Sequence, residues 1–355
     1  MTVYEELGVR PFINALANHT RYGGSIMPDA VVRTMVEAAK HYVDVNELQR
    51  AAGKAIASMT GNEACYISCG AASGLQLAIA SCIVGTNEEK AQRLQDSGRQ
   101  ANVIMLRPHL GTEADVAVRN TGARLRAVGD GEGVTTDQIS SGIDDNTAAI
   151  VIQNWESSRV PGIEHIIKLS HEHSVPVIVD AADGVPPKEN FRKYTRELGA
   201  DAVVVSGGKR LRGPQNTGLV LGWHEIIEGC IFLGNPNARF GRTMKVSKEA
   251  MAGIYMAVKC FMEDESVSEA AYKRARYIAD HLSRLKNVSI DYEGTEVNIR
   301  ILSTKLTDEE IVSKLKAGNP AILAFCRNSV LRLNTWPLQP GEERIVAKRI
   351  VEVLS

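Results

Sequence analysis

Short apolar, β-branched runs alternate with longer stretches of helical periodicity through the middle of the chain. We predict buried strands at residues 103–106, 148–153, 175–182, 201–208 and 218–222, with helices such as 164–173 and 190–198 between them. Continuous apolar runs are typical of strands covered on both faces. The alternation with helices predicts a mostly parallel sheet between two helical layers. Ligands of such sheets bind beyond the carboxyl ends of the strands, so polar residues at those ends are the candidates for chemistry.

The pattern changes near Lys248. A long helical stretch and a second helix are followed by strand-like segments that alternate with helices, which predicts a small α+β layer. We therefore expect an N-terminal segment at 1–46 that packs on the small domain or on a second subunit, a large domain at 47–247, and a bridging helix with a small C-terminal domain at 248–355.

Composition narrows the class of protein. The chain has 355 residues, 44% of them apolar and 23% charged, which suits a globular protein of two domains. A formal net charge of −1 argues against nucleic acid or a membrane surface as a partner. The N-terminus lacks a signal-peptide pattern, and no apolar run is long enough for a membrane span. The six cysteines form neither a C-x-x-C pair nor a cluster with zinc spacing, so we expect no metal site and a cytoplasmic location.

The main catalytic candidate is Lys209, which follows Ser206, Gly207 and Gly208 at the end of an apolar strand. The glycines let the backbone approach a ligand closely. A lysine held in such a place, partly desolvated, is suited to form a Schiff base. A lysine in a surface turn is the alternative that this motif alone leaves open.

Asp180 strengthens the case, because it ends another buried strand and is followed by Ala181 and Ala182. A carboxylate there is costly without a cationic partner. A protonated pyridine nitrogen is such a partner, and the small Ala182 leaves room for a flat ring. An aspartate that caps the following turn is the alternative interpretation.

Two further positions complete the pattern. Small residues around Gly70, Ala71 and Ala72 open an apolar helix, and a helix start with free N–H groups binds phosphate well. Such starts are also common as simple caps. His109 follows the first of the central strands and could stack on a cofactor ring or relay protons, although a lone histidine is more often structural.

In this order, these motifs resemble fold-type I enzymes that use pyridoxal 5′-phosphate (PLP). The chain resembles the selenocysteine synthase-like group and, within it, most resembles the D-glucosaminate-6-phosphate ammonia-lyase branch. The matching stretches cover most of residues 4–260, and they include SCGAASGLQLA, VPVIVDAADGVPP, GADAVVVSGGKRLRGPQNTGLVLG and GRTMKVSKEAMAGIYMAV. The resemblance implies an aspartate aminotransferase-like large domain, with a mostly parallel seven-stranded sheet, and a small α+β C-terminal domain.

Site roles follow from the same resemblance. Lys209 corresponds to the Schiff-base lysine, Asp180 to the partner of the pyridinium nitrogen and His109 to the ring-stacking position. The remaining positions are phosphate contacts at Gly70, Ala71, Ala72 and Ser206, a basic motif for phosphate or substrate at Arg242 and Lys245, and a substrate-side wall at Asn14, Thr20 and Ser25. These last three equally suit ordinary polar loop residues.

The implied reaction begins with removal of the α-proton of a small amino acid or amino-sugar acid by Lys209. Loss of a β-hydroxyl and hydrolysis would then give a 2-keto acid and ammonia. Arg332, on a late strand, is a candidate clamp for the substrate carboxylate, with an exposed strand arginine as the alternative. A homodimer or larger homo-oligomer is expected from the family.

The chain departs from the tRNA-handling part of the family, and its residues also leave other functions open. The tRNA-handling relatives carry an extra N-terminal domain and Gly-Asp-Lys at the cofactor lysine, whereas Gly208 precedes Lys209 here, so tRNA is not the expected substrate. The alternatives are racemisation, aldol cleavage or group transfer with the same residues, a non-catalytic PLP-fold subunit, and a nucleotide-binding α/β protein. The last lacks both phosphate-loop signatures.

Overall fold

The computed structural model describes residues 2–154, 158–264 and 266–355. In chain order, its strands are β1 (Phe12–Asn14), β2 (Ala64–Ser68), β3 (Asn102–Leu106), β4 (Arg124–Val128), β5 (Thr147–Gln153), β6 (Val177–Asp180), β7 (Ala202–Ser206), β8 (Gly218–Gly222), β9 (Val288–Glu293), β10 (Glu296–Ile301), β11 (Ala321–Leu323), β12 (Phe325–Arg327) and β13 (Val330–Asn334).

The helices are α1 (Val3–Glu6), α2 (Asp29–Ala38), α3 (Val45–Thr60), α4 (Ala71–Val84), α5 (Glu88–Gln92), α6 (Leu94–Gln100), α7 (Glu113–Asn120), α8 (Thr136–Gly142), α9 (Ile163–Glu172), α10 (Asn190–Arg192), α11 (His224–Leu233), α12 (Lys248–Glu263), α13 (Ser266–Leu282), α14 (Asp308–Ala317) and α15 (Glu342–Leu354). Thr20–Tyr22 and Arg107–His109 form 3₁₀ turns, and Lys193–Glu197 forms a π-helical turn. No helix among the described residues combines the length and apolar character that a membrane span requires.

The chain divides into two compact units, Met27–Glu263 and a second unit made of Met1–Ile26 with Asp264–Ser355. The sequence pattern placed boundaries after Asn46 and before Lys248 instead. The difference arises because α2 packs against α12, and a Cβ on Gly253 would lie 2.8 Å from Cγ of Met35. That close helix packing keeps residues 27–46 with the large unit.

The Met27–Glu263 unit is built around a seven-stranded sheet in the order β2-β8-β7-β6-β5-β3-β4. Strands β3, β4, β5, β6 and β7 pair in parallel, while β8 is antiparallel to both β2 and β7. The expected mostly parallel sheet is therefore confirmed. The bounds of the predicted strands lie within two residues of the observed ones.

Alternate residues of the central strands explain why helices cover both faces. Val177 and Val179 lie in one apolar cluster, together with residues of α3, α9 and α12. Ile178 of the same strand lies in a second cluster, with residues of α4, α7 and α11. Successive side chains of a strand point to opposite faces of the sheet, so a continuous apolar run is buried only when helices cover both faces.

The smaller unit holds a four-stranded antiparallel sheet in the order β12-β13-β10-β9. Val297, Ile299 and Leu331 point into a core that they share with residues of α13, α14 and α15. Near the N-terminus, β1 pairs in parallel with β11, so the first strand of the chain belongs to the same unit as the C-terminal residues. An α+β layer at the C-terminus agrees with the sequence pattern.

Candidate active site

The candidate catalytic residues lie at one edge of the seven-stranded sheet. Gln153 of β5 pairs with Asp180 of β6, and Asp180 pairs with Val204 of β7. His109 follows β3, and Lys209 lies three residues beyond the end of β7. Because these strands are parallel, the structure brings the predicted histidine, aspartate and lysine to the same carboxyl edge.

Lys209 lies in a loop that folds back on itself between β7 and β8. The N–H of Gly207 donates to the carbonyl of Thr217 at 2.9 Å, and the N–H of Gly213 donates to the carbonyl of Gly207 at 2.9 Å. A Cβ on Gly208 would lie 2.9 Å from the carbonyl oxygen of Gln215. The two glycines before Lys209 therefore allow the later part of the same loop, at Gln215 and Thr217, to pack closely against them. The sequence pattern suggested instead that they make room for a ligand.

Asp180 is a nearly buried carboxylate at the end of β6. Its Oδ1 accepts a hydrogen bond from the N–H of Ala182 at 3.2 Å. Burial raises its pKa above the ordinary value, while the N–H of Ala182 and the charge of Lys209 act in the opposite direction. The amine and the carboxylate are thus within electrostatic reach of each other, and a further cation beside Asp180 would lower the cost of its burial.

Glu113 is a residue at this edge that the sequence analysis missed. It opens α7, four residues after His109, and its charge raises the pKa of Asp180. An acidic residue in the first turn of a helix usually signals only a favourable dipole interaction. The sequence signal that could have found Glu113 is its place in the connection after a strand-end histidine.

His109 is buried, and its Nδ1 accepts a hydrogen bond from the backbone N–H of Gln153 at 3.2 Å. Desolvation lowers its pKa to about 4, so the ring is neutral at physiological pH. A neutral imidazole that accepts at Nδ1 carries its proton on Nε2. The ring is therefore an uncharged, oriented surface at the strand edge.

The N-terminus of α4 meets the same edge. Gly70 precedes the helix with a φ of 85°, and no side chain caps the first turn. A Cβ on Gly218, the first residue of β8, would lie 2.6 Å from the carbonyl carbon of Gly70 and 2.7 Å from the nitrogen of Ala71. Only a glycine fits there, and it leaves the N–H groups of the first helical turn available for an anion.

These residues fit PLP. Gly70, Ala71 and Ala72 offer helix-start amides for its phosphate, the carboxylate of Asp180 suits its ring nitrogen, and Lys209 supplies an amine. Ser206 ends β7, and its N–H donates to the carbonyl of Ala182 at 3.1 Å, which ties the two strand ends together. The individual roles of these residues stay predictions.

The basic motif predicted from the sequence consists of Arg242 and Lys245. Arg242 and Lys245 are exposed on the loop between α11 and α12. The carbonyl of Arg242 accepts from the side chain of Asn235 at 3.0 Å, and Gly241 packs against Gly234. These contacts hold the loop on its own unit. Their predicted role toward a phosphate or a substrate stays a prediction.

Four predicted residues belong to the smaller unit. The side chain of Asn14 accepts from the N–H of Leu16 at 3.0 Å and donates to the carbonyl of Ala17 at 2.8 Å, so it closes its own turn. Thr20 begins a 3₁₀ turn, and Ser25 accepts from Asn18. Arg332 is exposed on β13, between Asn298 and Phe325 on the neighbouring strands. Substrate roles for these four residues stay predictions.

A family model for class-V aminotransferases matches residues 27–241, which covers the sheet and every residue of the candidate cofactor site. The chain belongs to the class-V aminotransferase family. This family assignment confirms the predicted fold-type I architecture and PLP as the cofactor.

Individual relatives extend over nearly the whole chain. The 5′-C-glycyluridine monooxygenase-decarboxylase of Streptomyces sp is 30% identical over 99% of this chain and 92% of its own length. The D-glucosaminate-6-phosphate ammonia lyase of Salmonella typhimurium is 27% identical over 99% of this chain and 97% of its own. An L-seryl-tRNA(Sec) selenium transferase of Clostridium botulinum is 21% identical over 95% of this chain and 81% of its own.

A solved structure of a D-glucosaminate-6-phosphate ammonia-lyase matches 100% of this chain and 98% of its own, with a TM-score of 0.87 and 25% identity. The predicted resemblance to that branch and to the selenocysteine synthase-like group is confirmed. The chain is a PLP-dependent enzyme, and the lyase prediction agrees with this kinship.

Proposed function

We propose that the chain is a PLP-dependent ammonia-lyase that acts on a phosphorylated amino-sugar acid. The α-proton and a β-hydroxyl are lost, and hydrolysis gives a 2-keto acid and ammonia. One observation carries the proposal: the amine of Lys209 and the buried carboxylate of Asp180 lie within electrostatic reach at the carboxyl edge of the sheet. An ammonia lyase that aligns over nearly the full length of the chain supports the reaction type.

When bound, PLP supplies an electron sink for the negative charge that develops at the α-carbon. Asp180 keeps a proton on the ring nitrogen, because a buried carboxylate gains most from a cation beside it. Lys209, partly buried behind its glycines, holds the cofactor and moves the proton at the α-carbon. His109 offers a neutral ring as a stacking face.

Other residues bind the anionic groups of the cofactor and of the substrate. The amides of Gly70, Ala71 and Ala72 and the Ser206 hydroxyl hold the cofactor phosphate. We expect Arg242 and Lys245 to serve a phosphate and Arg332 to serve the substrate carboxylate, since guanidinium and ammonium groups suit such anions. Asn14, Thr20 and Ser25 are the expected substrate-side wall. A homodimer and a cytoplasmic location complete the proposal.

The test is a product assay with the purified holoenzyme. D-glucosaminate 6-phosphate, unphosphorylated D-glucosaminate, serine and threonine are each incubated with enzyme, and ammonia and keto acid are quantified together. Equal amounts of both products, with the phosphorylated sugar acid preferred, support the proposal. Turnover of a substrate without ammonia release would contradict it.

A second candidate follows from the relative of 30% identity, whose name describes a monooxygenase-decarboxylase. Loss of the α-carboxylate with consumption of oxygen would use the same lysine and aspartate. An oxygen electrode separates the two functions, because elimination proceeds unchanged under nitrogen whereas a monooxygenase stops. Release of carbon dioxide with oxygen uptake from a glycyl-nucleoside would favour this candidate.

A further inference from the structure

The Met27–Glu263 unit contains a cavity of about 630 Å³ at the edge of the sheet opposite to the cofactor residues. Asp201 precedes β7 and Trp223 follows the antiparallel β8, so both lie at the amino edge of the parallel strands. The end of α4, the turn from α9 to β6 and the start of α11 form the remaining walls. The volume is within the range of about 300–1,000 Å³ that is typical of small-molecule sites.

A buried carboxylate is fixed in the wall of this cavity. The Asp201 side chain is 5% exposed, and its Oδ2 accepts hydrogen bonds from the N–H of Val177 at 2.7 Å and from Nε2 of His171 at 2.9 Å. The backbone N–H of Trp223 donates to the carbonyl of Asp201 at 2.9 Å. Hydrogen bonds to Asp201 thus fix the positions of the His171 imidazole and the Trp223 backbone.

Aromatic surface lies next to this carboxylate. The ring centroids of Trp223 and His171 are 5.9 Å apart with their planes tilted by 42°. Trp223 is 44% exposed, a large fraction for the largest apolar side chain in the cavity wall. An indole face attracts cations through its quadrupole, most strongly where water is partly excluded.

The polar side chains of the wall include several acceptors. Ser81 donates its hydroxyl proton to the carbonyl of Ile226 at 2.9 Å, so it presents lone pairs. The ring of His171 is hydrogen-bonded through Nε2 to the Asp201 carboxylate. Glu225 contributes a second, exposed carboxylate, and α4 and α9 direct their negative C-terminal ends to this region. The start of α11 adds one positive helix end to the wall, but two carboxylates and two helix C-terminal ends oppose it, so the wall favours a ligand that donates hydrogen bonds and carries positive charge.

We propose that this cavity is a second ligand site, separate from the cofactor edge, for a small organic cation with a flat apolar body. An amidinium or guanidinium group would face the carboxylates of Asp201 and Glu225, and the apolar body would lie against Trp223. This site depends on no residue of the proposed ammonia-lyase reaction.

The test measures binding of benzamidine to the holoenzyme by isothermal titration calorimetry, with neutral benzamide as the isosteric comparison. Benzamidine should bind once per chain and benzamide at least about tenfold more weakly, since the two differ in charge. Trp223→Ala and Glu225→Gln should each weaken benzamidine binding by about threefold to tenfold. Glu164→Gln, an exposed first-turn change at the other end of α9, is the matched control and should change nothing.

The PLP absorbance spectrum is recorded in the same titration and should not change, because the cofactor lies at the other edge. Glu225→Gln keeps the test valid if Trp223→Ala fails to fold, since Glu225 is exposed. Equal affinity for benzamide and benzamidine, or equal affinity in wild type and Glu225→Gln, would overturn the site. Absence of benzamidine binding would overturn it as well.

Discussion

The Nδ1 atom of His109, in the turn after β3, accepts a hydrogen bond at 3.2 Å from the backbone N–H of Gln153, at the end of the neighbouring parallel strand β5. The hydrogen bond fixes the proton of the neutral ring on Nε2 and holds the plane of the ring. Since the pKa of His109 is lowered to about 4, this arrangement persists across the physiological pH range. A ring held in this way is prepared to lie against a flat cofactor.

Replacement of the ring should therefore act mainly through the cofactor. We expect His109→Ala to weaken PLP binding and to lower kcat by about tenfold to a hundredfold. His109→Phe, which keeps an aromatic face, should retain much more of the PLP affinity. Equilibrium dialysis with PLP checks both variants, and equal affinity in His109→Ala and wild type would contradict a stacking role.

The same histidine gives a signed prediction for stability against pH. The unfolded chain binds the imidazole proton near pH 6.5, whereas the folded chain binds it only near about 4. The unfolded state therefore holds more protons between these values, so the free energy of unfolding falls as the pH falls through that interval. In urea titrations without PLP, His109→Phe should lose stability less steeply than wild type between these pH values. Parallel curves for the two proteins would show that His109 contributes nothing.

Burial of Asp180 opposes stability and serves function. Its raised pKa means that the carboxylate is destabilised when charged, so Asp180→Asn should unfold at the same or a higher temperature than wild type without PLP. Its kcat should fall at least about a hundredfold, because the ring nitrogen loses its partner. Asp137→Asn, an exposed change in α8, is the control. Unchanged turnover in Asp180→Asn would refute its role beside the ring.

Lys209→Ala should abolish the violet-visible absorbance of the holoenzyme and lower turnover by about a thousandfold or more. The reason is that the variant lacks both the amine that holds PLP and the group that moves the α-proton. Lys193→Ala, an exposed lysine in the π-helical turn, serves as the control and should keep both properties. A folded Lys209→Ala protein with the wild-type spectrum would end the assignment.

Gly208→Ala should destabilise the protein by about 2 kcal/mol or more, since its Cβ would lie 2.4 Å from Cα and 2.9 Å from the carbonyl oxygen of Gln215, both backbone atoms. Gly131→Ala is a matched control, because an added Cβ there meets no atom within 4 Å. Thermal unfolding of both variants measures the difference. If the two variants melt together, the loop is looser than the structure shows.

The amino-acid sequence was enough to predict the central strands, the residues at their carboxyl ends and the family. Continuous apolar runs are a local signal, and each of Lys209, Asp180 and His109 lies at or just beyond the end of such a run. The two edge strands, β2 and β4, escaped prediction, and the residues of β4, Arg124–Val128, are mostly half-exposed and include two arginines. An edge strand is defined by its one neighbour, which sequence periodicity does not reveal.

Which distant residues meet became evident only in the folded chain. Glu113 influences Asp180, and Gly218 packs against Gly70, through contacts between segments far apart in the chain. The cavity beside Trp223 likewise unites Ser81 and Asp201, neither of which carries a motif. Local pattern specifies helices and strands because it depends on neighbours along the chain. Proximity across the sheet depends on register and packing, which are established when the whole chain folds.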